Sequence, residues 1–265
     1  MYTSRKNTPM PKVAVCYIAT GPYIHFWEKY LATARDKFLV DAVKHFYVWS
    51  DTTVKSGGDV TYIHKKWEMW PEATKYRYRT MMQVEDELRD FDFVTFTNAN
   101  TWFTNISTVS DFFDNHPFTG SGHWKTYGKP RDEVSGYLER SYWSNVPESK
   151  AFAEIGEYYD AHGGWLLGGC QGGHSEDWIN MCHTVTEWMI EDEQAKRKLR
   201  WNDEPYFNRY AINEGARVLD PHKWLSAGFK GYMHLEGKDK AFGCNNYRTV
   251  GRQPVSLLKR LGLAT

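Results

Sequence analysis

From Asp92 to Phe103 the apolar positions Phe93, Val94 and Phe96 give way to a short polar run, Thr97 to Thr101. That pattern predicts a buried strand that breaks at its carboxyl end. In an open α/β sheet this edge is where ligands sit, so Asn98 and Asn100 are placed to project two amides into the crevice. A plain turn is the competing reading, because Asn is a common turn residue. Similar apolar runs at Val13–Ile18, His45–Ser50 and Val60–His64 predict three further strands. Between the first two, Phe26, Trp27, Tyr30, Leu31, Ala34 and Phe38 recur at helical spacing across 23–39. Strand, helix and strand in this order predict a right-handed, mostly parallel sheet, with the first loop at its ligand edge. Ala19, Thr20 and Tyr23 then become candidates for holding a nucleotide base.

Farther along, Pro71 and Glu72 open a helix expected to run to about Arg89, a proline and an acid both suiting a first turn. Arg77 falls on its polar face, where a solvated charge is the plain reading. The stretch 120–140 is less regular and rich in glycine and aromatics, a composition that suits specificity loops mounted on a rigid sheet. From Tyr158 to Gly173, three Gly-Gly pairs surround an apolar trio, Trp165, Leu166 and Leu167. No Lys-Ser or Lys-Thr follows, so this is not a phosphate loop. It reads as a strand whose bare backbone lets a ligand approach closely, with a flexible loop as the alternative. A helix follows from Ser175 through Trp178, Met181, Cys182, Val185, Trp188 and Met189. Another begins near Trp201, with Asp203 and Glu204 in its first turn beside Pro205. Those acids either complement the helix dipole or form a carboxylate site at the sheet edge beside an aromatic wall.

Composition narrows the choice. The chain suits one α/β domain of about 200 to 250 residues with elaborations, expected over 13–250 with tails at 1–12 and 251–265. Thirty-three acidic and 33 basic residues balance, which argues against a nucleic-acid footprint or a polybasic membrane face. Trp and Tyr number 12 and 17; flat amphipathic rings suit sugar faces and nucleobases, although most are expected in the core. Cys16, Cys170, Cys182 and Cys244 lack metal-ligand spacing and read as reduced thiols. Met1 to Lys12 carries no apolar core of signal-peptide length and no later run approaches a membrane span, so a soluble, cytoplasmic protein without a transmembrane segment is expected.

An ordered set of short motifs carries a resemblance. These are Ile18 to Tyr23; Trp70, Pro71 and Glu72 with Arg77; Asn98-Ala-Asn100; His123; Glu139 and Arg140; Tyr158 and Tyr159; Gly163 to Gly169; Trp201 to Glu204 with Asn208; and Leu219 to Pro221. Together, over about 13–248, they resemble family six of the glycosyltransferases, the family of the blood group A and B transferases and the α-1,3-galactosyltransferase, especially its short bacterial and phage members. The resemblance implies a GT-A fold and transfer of a hexose from a UDP-sugar to a glycan acceptor with retention of the α configuration.

Residue by residue, the resemblance implies that Ile18, Ala19, Thr20, Tyr23 and Trp70 hold the nucleotide. Arg77, Asn98, Asn100, His162, Gly163, Gly164, Trp165 and Asp203 face the donor sugar. Glu204 sits opposite the leaving diphosphate as the catalytic carboxylate and, with His123 and Trp201, meets the acceptor. Lys238, Lys240 and Arg248 match the family's basic carboxyl-terminal segment that folds over the diphosphate, a solvated tail being the alternative.

Three departures from the family pattern matter. Asn98-Ala-Asn100 stands where vertebrate members have Asp-x-Asp, and neutral amides are poor ligands for a hard cation, so no metal and no other cofactor is expected. Asn202 stands where relatives usually carry His and cannot titrate. Trp165 stands where relatives have a small residue that discriminates galactose from N-acetylgalactosamine, and a bulky ring there is expected to narrow the donor pocket. Galactose and N-acetylgalactosamine are the expected donor sugars, with glucose a third. Two other classes fit some of the same features. A non-catalytic sugar- or nucleotide-binding protein would explain the aromatics but not Asp203 and Glu204, and a glycoside hydrolase would need a second carboxylate facing the first, for which Glu139 is the candidate.

Overall fold

Alternation along the first strand decides how the sheet is covered. In the computed structural model, which describes residues 9–55, 57–68, 72–103, 105–114, 116–123, 125–134, 146–197 and 203–221, β1 spans Lys12–Ile18 with Val13 to Tyr17 buried. Successive side chains of a strand point to opposite faces. Accordingly Val13, Val15 and Tyr17 join one apolar cluster, while Ala14 and Cys16 join another. The next strand, β2 (Val43–Ser50), splits the same way, with Phe46 and Val48 on the first face and Tyr47 and Trp49 on the second. Both faces are therefore covered, which is the condition under which parallel strands read as continuous apolar runs.

Seven strands form one sheet in the order β3-β2-β1-β4-β6-β5-β7, with β3 at Val60–His64, β4 at Phe93–Thr97, β5 at Phe118–Gly122, β6 at Leu166–His174 and β7 at Arg217–Leu219. The pairs β1/β2, β1/β4, β2/β3 and β5/β7 are parallel, and β6 runs antiparallel to both its neighbours. This mostly parallel sheet flanked by helices is consistent with the expected GT-A type fold. The first face is covered by α1 (Trp27–Lys37), through Trp27, Tyr30 and Ala34, and by the short α5 (Val109–Phe112), through Phe112. The second carries α7 (Ser175–Gln194), through Trp178, Ile179, Met181, Cys182 and Val185, and α8 (Glu204–Glu214), through Tyr206, Phe207 and Ala211. A small separate cluster of Val134, Ala153, Tyr158 and Trp165 lies at α6 (Ile155–His162).

Two helices differ from the sequence expectation. The helical spacing over 23–39 begins as a 3-10 turn, Gly21–Phe26, with Pro22 at its start, and becomes α-helical only at Trp27. The single helix expected from Glu72 to about Arg89 is broken into α2 (Glu72–Lys75), α3 (Arg77–Met81), a 3-10 turn Met82–Val84 and α4 (Glu85–Leu88). The break at Tyr76 lets Arg77, Tyr78, Thr80 and Met81 all turn inward. No helix among the described residues is long and apolar enough to cross a membrane. Cys16, Cys170 and Cys182 are buried free thiols, each pushed far up by desolvation, and Cys244 lies outside the described residues.

Candidate active site

Strand β6 does not keep step with β5. Gly120 pairs with Gln171 while the next residue, Ser121, pairs with Leu167, so 168–170 fall out of register with that neighbour. On its other side the same stretch stays bonded, with Thr97 opposite Cys170 and the Asn98 N–H donating to the Gly169 carbonyl at 2.9 Å. An irregularity of this kind re-aims backbone groups. The Gly168 carbonyl here accepts from Arg77 Nη1 at 2.6 Å and from Gln171 Nε2 at 2.7 Å.

Against that bare stretch sits the amino end of α8. Asp203 is its N-cap residue, yet its side chain caps nothing and instead pairs through Oδ2 with Arg77 Nε at 2.8 Å. Both side chains are closed to solvent, 8% and 3% exposed. The plain reading of Arg77 as a solvated charge is therefore incorrect. It lies at the amino end of a helical turn, where a cation gains nothing from the helix dipole, and it is held by Asp203, by the Gly168 carbonyl and over the Phe96 ring at 4.9 Å.

Glu204, one residue on, keeps part of its surface open. Its Oε1 accepts the Trp165 indole N–H at 2.8 Å, and a Cβ at Gly168 would lie 3.4 Å from its Cγ. Desolvation raises the Glu204 carboxyl to about 7; the Trp165 bond opposes the rise and the neighbouring Asp203 charge adds to it. Desolvation likewise lifts Asp203 to about 6 against the pull of Arg77. Perturbed carboxylates gathered beside a glycine backbone are a physical mark of a functional site.

Asn208, fully buried one turn after Glu204, fastens the helix to the strand. Its Oδ1 accepts from the Leu166 N–H at 2.8 Å, and its Nδ2 donates to the Leu166 and Glu204 carbonyls, each at 2.9 Å. The three glycine pairs serve three ends. Gly163 closes α6 in the left-handed region, at φ 62°, and Gly164 follows at φ 139°. Gly168 abuts the acids. Gly172 and Gly173 allow close sheet packing, since a Cβ would come within 2.8 Å of the Val94 carbonyl oxygen and 2.5 Å of the Pro117 carbonyl oxygen. The flexible-loop alternative for this run does not hold from Leu166 onward.

The structure thus brings Arg77, Asp203, Glu204 and Trp165 together. His123 joins through its backbone, donating to the Trp165 carbonyl at 2.6 Å. Its buried ring accepts the Lys125 N–H on Nδ1, and burial, then Lys125, drive its pKa down to about 3, so the imidazole is neutral. Asn98 is half-buried and Asn100 only 1% exposed, in a turn closed by the Thr101 N–H on the Asn98 carbonyl. That turn packs on β1 through the Tyr17 hydroxyl, which donates to the Ala99 carbonyl at 2.9 Å.

Ile18, Ala19, Thr20 and Tyr23 lie at the end of β1, two strands from β6 along the same edge. His162 is the last residue of α6. Trp70, Trp201, Lys238, Lys240 and Arg248, with Glu139, Arg140 and Asn202, lie outside the described residues.

Two residues escaped the sequence reading. Trp67 lies against the first loop, so close that a Cβ at Gly21 would be 2.6 Å from its indole nitrogen; nothing in its local pattern marks it. Asp192 stands in the acidic run Glu191 to Glu193 and looks like a solvated charge, yet it is fully buried. It accepts from Tyr206, in the first turn of α8, at 2.8 Å, from Ser149 at 2.5 Å and from Arg197 at 3.0 Å. Burial alone would raise its carboxyl, but these donors and the Lys150 N–H outweigh burial and hold it below its ordinary value.

No family model matches the chain. Curated proteins to which the chain is similar include two glycosyltransferases. One is the O-antigen biosynthesis glycosyltransferase WbnI of Escherichia coli, 28% identical over 105 residues that cover 38% of this chain and 45% of that protein. The other is the globoside alpha-1,3-N-acetylgalactosaminyltransferase 1 of Homo sapiens, 23% identical over 223 residues that cover 79% of this chain and 59% of that protein. The chain spans less than two thirds of the length of either relative.

Proposed function

We propose that this chain is a retaining hexosyltransferase of the family-six type. It would move galactose or N-acetylgalactosamine, with glucose a third candidate, from a UDP-sugar in α linkage to a glycan hydroxyl without a divalent metal. The two similar proteins support glycosyl transfer by their names. The observation that carries the reading is the Arg77–Asp203–Glu204 cluster seated on the bared Gly168 backbone. It offers one glutamate, half-buried as a residue, beside a buried, charge-neutralised pair.

In this reading Asp203, aimed by Arg77, takes donor hydroxyls. Ionised Glu204 either attacks the anomeric carbon or stabilises an oxocarbenium-like ion pair on the face away from the leaving UDP. The acceptor hydroxyl then arrives on the side the UDP leaves, and both routes retain configuration. In the ion-pair route the departing phosphate oxygen takes the acceptor proton. The leaving diphosphate needs positive charge, and such electrostatic help is usually the largest catalytic contribution; Lys238, Lys240 and Arg248 are assigned that role. Asp203, the other carboxylate of the cluster, is committed to Arg77, and Glu139, the second carboxylate named for a hydrolase, lies outside the described residues.

The test is mass spectrometry of a glycan array incubated with a panel of UDP-sugars. Sugar-extended product with the α anomer retained supports the reading. Nucleotide binding without product identifies a binding protein, and release of sugar from an aryl glycoside without nucleotide identifies a hydrolase.

A further inference from the structure

Trp165 stands at the point where α6 hands over to β6, and its ring does not face solvent at all. The indole packs on Tyr158 with ring centroids 4.8 Å apart. Its backbone is fixed on both sides, the N–H on Thr126 Oγ1 at 3.3 Å and the carbonyl under the His123 N–H. The one polar atom of the ring reaches Glu204 Oε1 at 2.8 Å. Asn208 ties the backbones of Leu166 and Glu204 to each other a residue away. The carboxylate is therefore held from its backbone and from its tip by the same strand.

We propose that Trp165 is a positioning residue for Glu204, its indole N–H fixing the carboxylate in the rotamer from which it meets the sugar. This rests on Glu204 being the reacting carboxylate. A glutamate has three rotatable bonds, and the buried ring is a rigid donor that loses little freedom in holding one of them. A hydrogen bond to a carboxylate also favours the ionised over the neutral form. The other groups acting on this carboxylate are Asp203 beside it, Arg77 from α3 and the Gly168 backbone from β6.

Phenylalanine at 165 keeps an aromatic ring but removes the donor and part of a fully buried ring system, so the Glu204→Gln background serves as the control for lost packing. In Trp165→Phe, kcat is expected to fall about 10- to 100-fold, the range of a lost hydrogen bond to a charged group. The donor KM should change less than about threefold, and the acid limb of kcat/KM should move to higher pH. In the Glu204→Gln background the same substitution should cost almost nothing, because the group it positions is gone. Unchanged kcat, or an equal loss in both backgrounds, overturns the proposal.

A second measurement needs no turnover. The indole 1H–15N resonance of Trp165 in the ligand-free protein should titrate with a midpoint near 7 and lose that titration in Glu204→Gln. A resonance flat across this range overturns the positioning role even when Glu204→Gln is inactive. Near-normal turnover of Glu204→Gln instead removes the assignment of Glu204, and the proposal with it.

Discussion

Arg77 Nε and Asp203 Oδ2 meet at 2.8 Å in a place where neither side chain reaches water. One partner starts a helical turn before β4 and the other is the N-cap residue of a helix 126 positions later in sequence, so the pair fixes α8 and its Glu204 against the sheet. A buried pair is a poor source of net stability, but removing one member strands the other charge. Arg77→Met, which leaves the buried Asp203 carboxylate without its cation, is therefore expected to lower unfolding free energy at pH 8 by about 3 kcal/mol and to abolish transfer. Urea unfolding at that pH, followed by tryptophan fluorescence, measures the first; a midpoint within error of the parent would show that Asp203 is tolerated without Arg77.

Glu204→Gln should separate activity from stability. The folded protein holds the Glu204 proton up to about pH 7, against an ordinary value of 4.5. The native state thus binds more protons than the unfolded state between these values, and this group's contribution to stability falls as pH rises through that window, then levels off. The amide keeps the acceptor for Trp165 and carries no charge. Relative to the parent, Glu204→Gln should gain roughly 1–3 kcal/mol at pH 8 and nothing below pH 4.5. Transfer should drop by several orders of magnitude while UDP still binds. Melting curves at pH 4.5 and pH 8, with calorimetry of UDP, decide both parts; a variant less stable than the parent at pH 8 would contradict the desolvated carboxylate.

On the proposed reading, the same residue sets the pH dependence of turnover. If transfer needs the ionised carboxylate, kcat/KM should rise about tenfold per pH unit below 7 and flatten above it, since kcat/KM reports the free enzyme. A profile already flat from pH 5 would mean that another group, or a much lower pKa, governs the reaction.

Two glycines of β6 should respond differently to the same methyl group. At Gly168 a Cβ would lie 3.4 Å from Glu204 Cγ and 3.6 Å from Asp203 Oδ2, ordinary contact distances. Gly168→Ala should fold with a stability change under about 1 kcal/mol but lose transfer, because the methyl fills the space left for a ligand. At Gly172 the methyl would press to 2.8 Å on the Val94 carbonyl oxygen and 3.0 Å on Phe113. Gly172→Ala should cost about 1–3 kcal/mol through overpacking. Denaturation midpoints for the two variants, with activity for the first, test the contrast.

The strands were legible because β1, β2 and β4 are buried on both faces and read as continuous apolar runs. The glycine run announced a strand but not its slip against β5, since the register shift depends on pairing with residues some fifty positions away. Arg77 was misread and Asp192 overlooked for one reason. Each sits among charged neighbours, and only the tertiary partner, Asp203 for one and the Tyr206, Ser149 and Arg197 trio for the other, makes its burial tolerable. Asp203 and Glu204 fit the simple dipole reading as well as the functional one, and local sequence cannot separate them. The resolving facts are the Arg77 ion pair and the Trp165 hydrogen bond, both made by residues distant in the chain.

The proposed independence of metal rests on the Asn98–Asn100 turn. An amide oxygen carries no net charge, and replacing two carboxylates by two amides removes most of the attraction for a hard divalent cation. The proposed cationic segment at Lys238, Lys240 and Arg248 would supply the missing positive charge at the diphosphate. Chelator should accordingly leave transfer rates within about twofold of the untreated enzyme, whereas Lys240→Ala combined with Arg248→Ala should lower kcat at least tenfold, a loss of about 1.4 kcal/mol of transition-state stabilisation. Rates measured after exhaustive dialysis against chelator, with and without added manganese, settle the first half. Inactivation by chelator with recovery in manganese would show that a cation, held by groups other than paired carboxylates, carries the charge assigned to the basic segment.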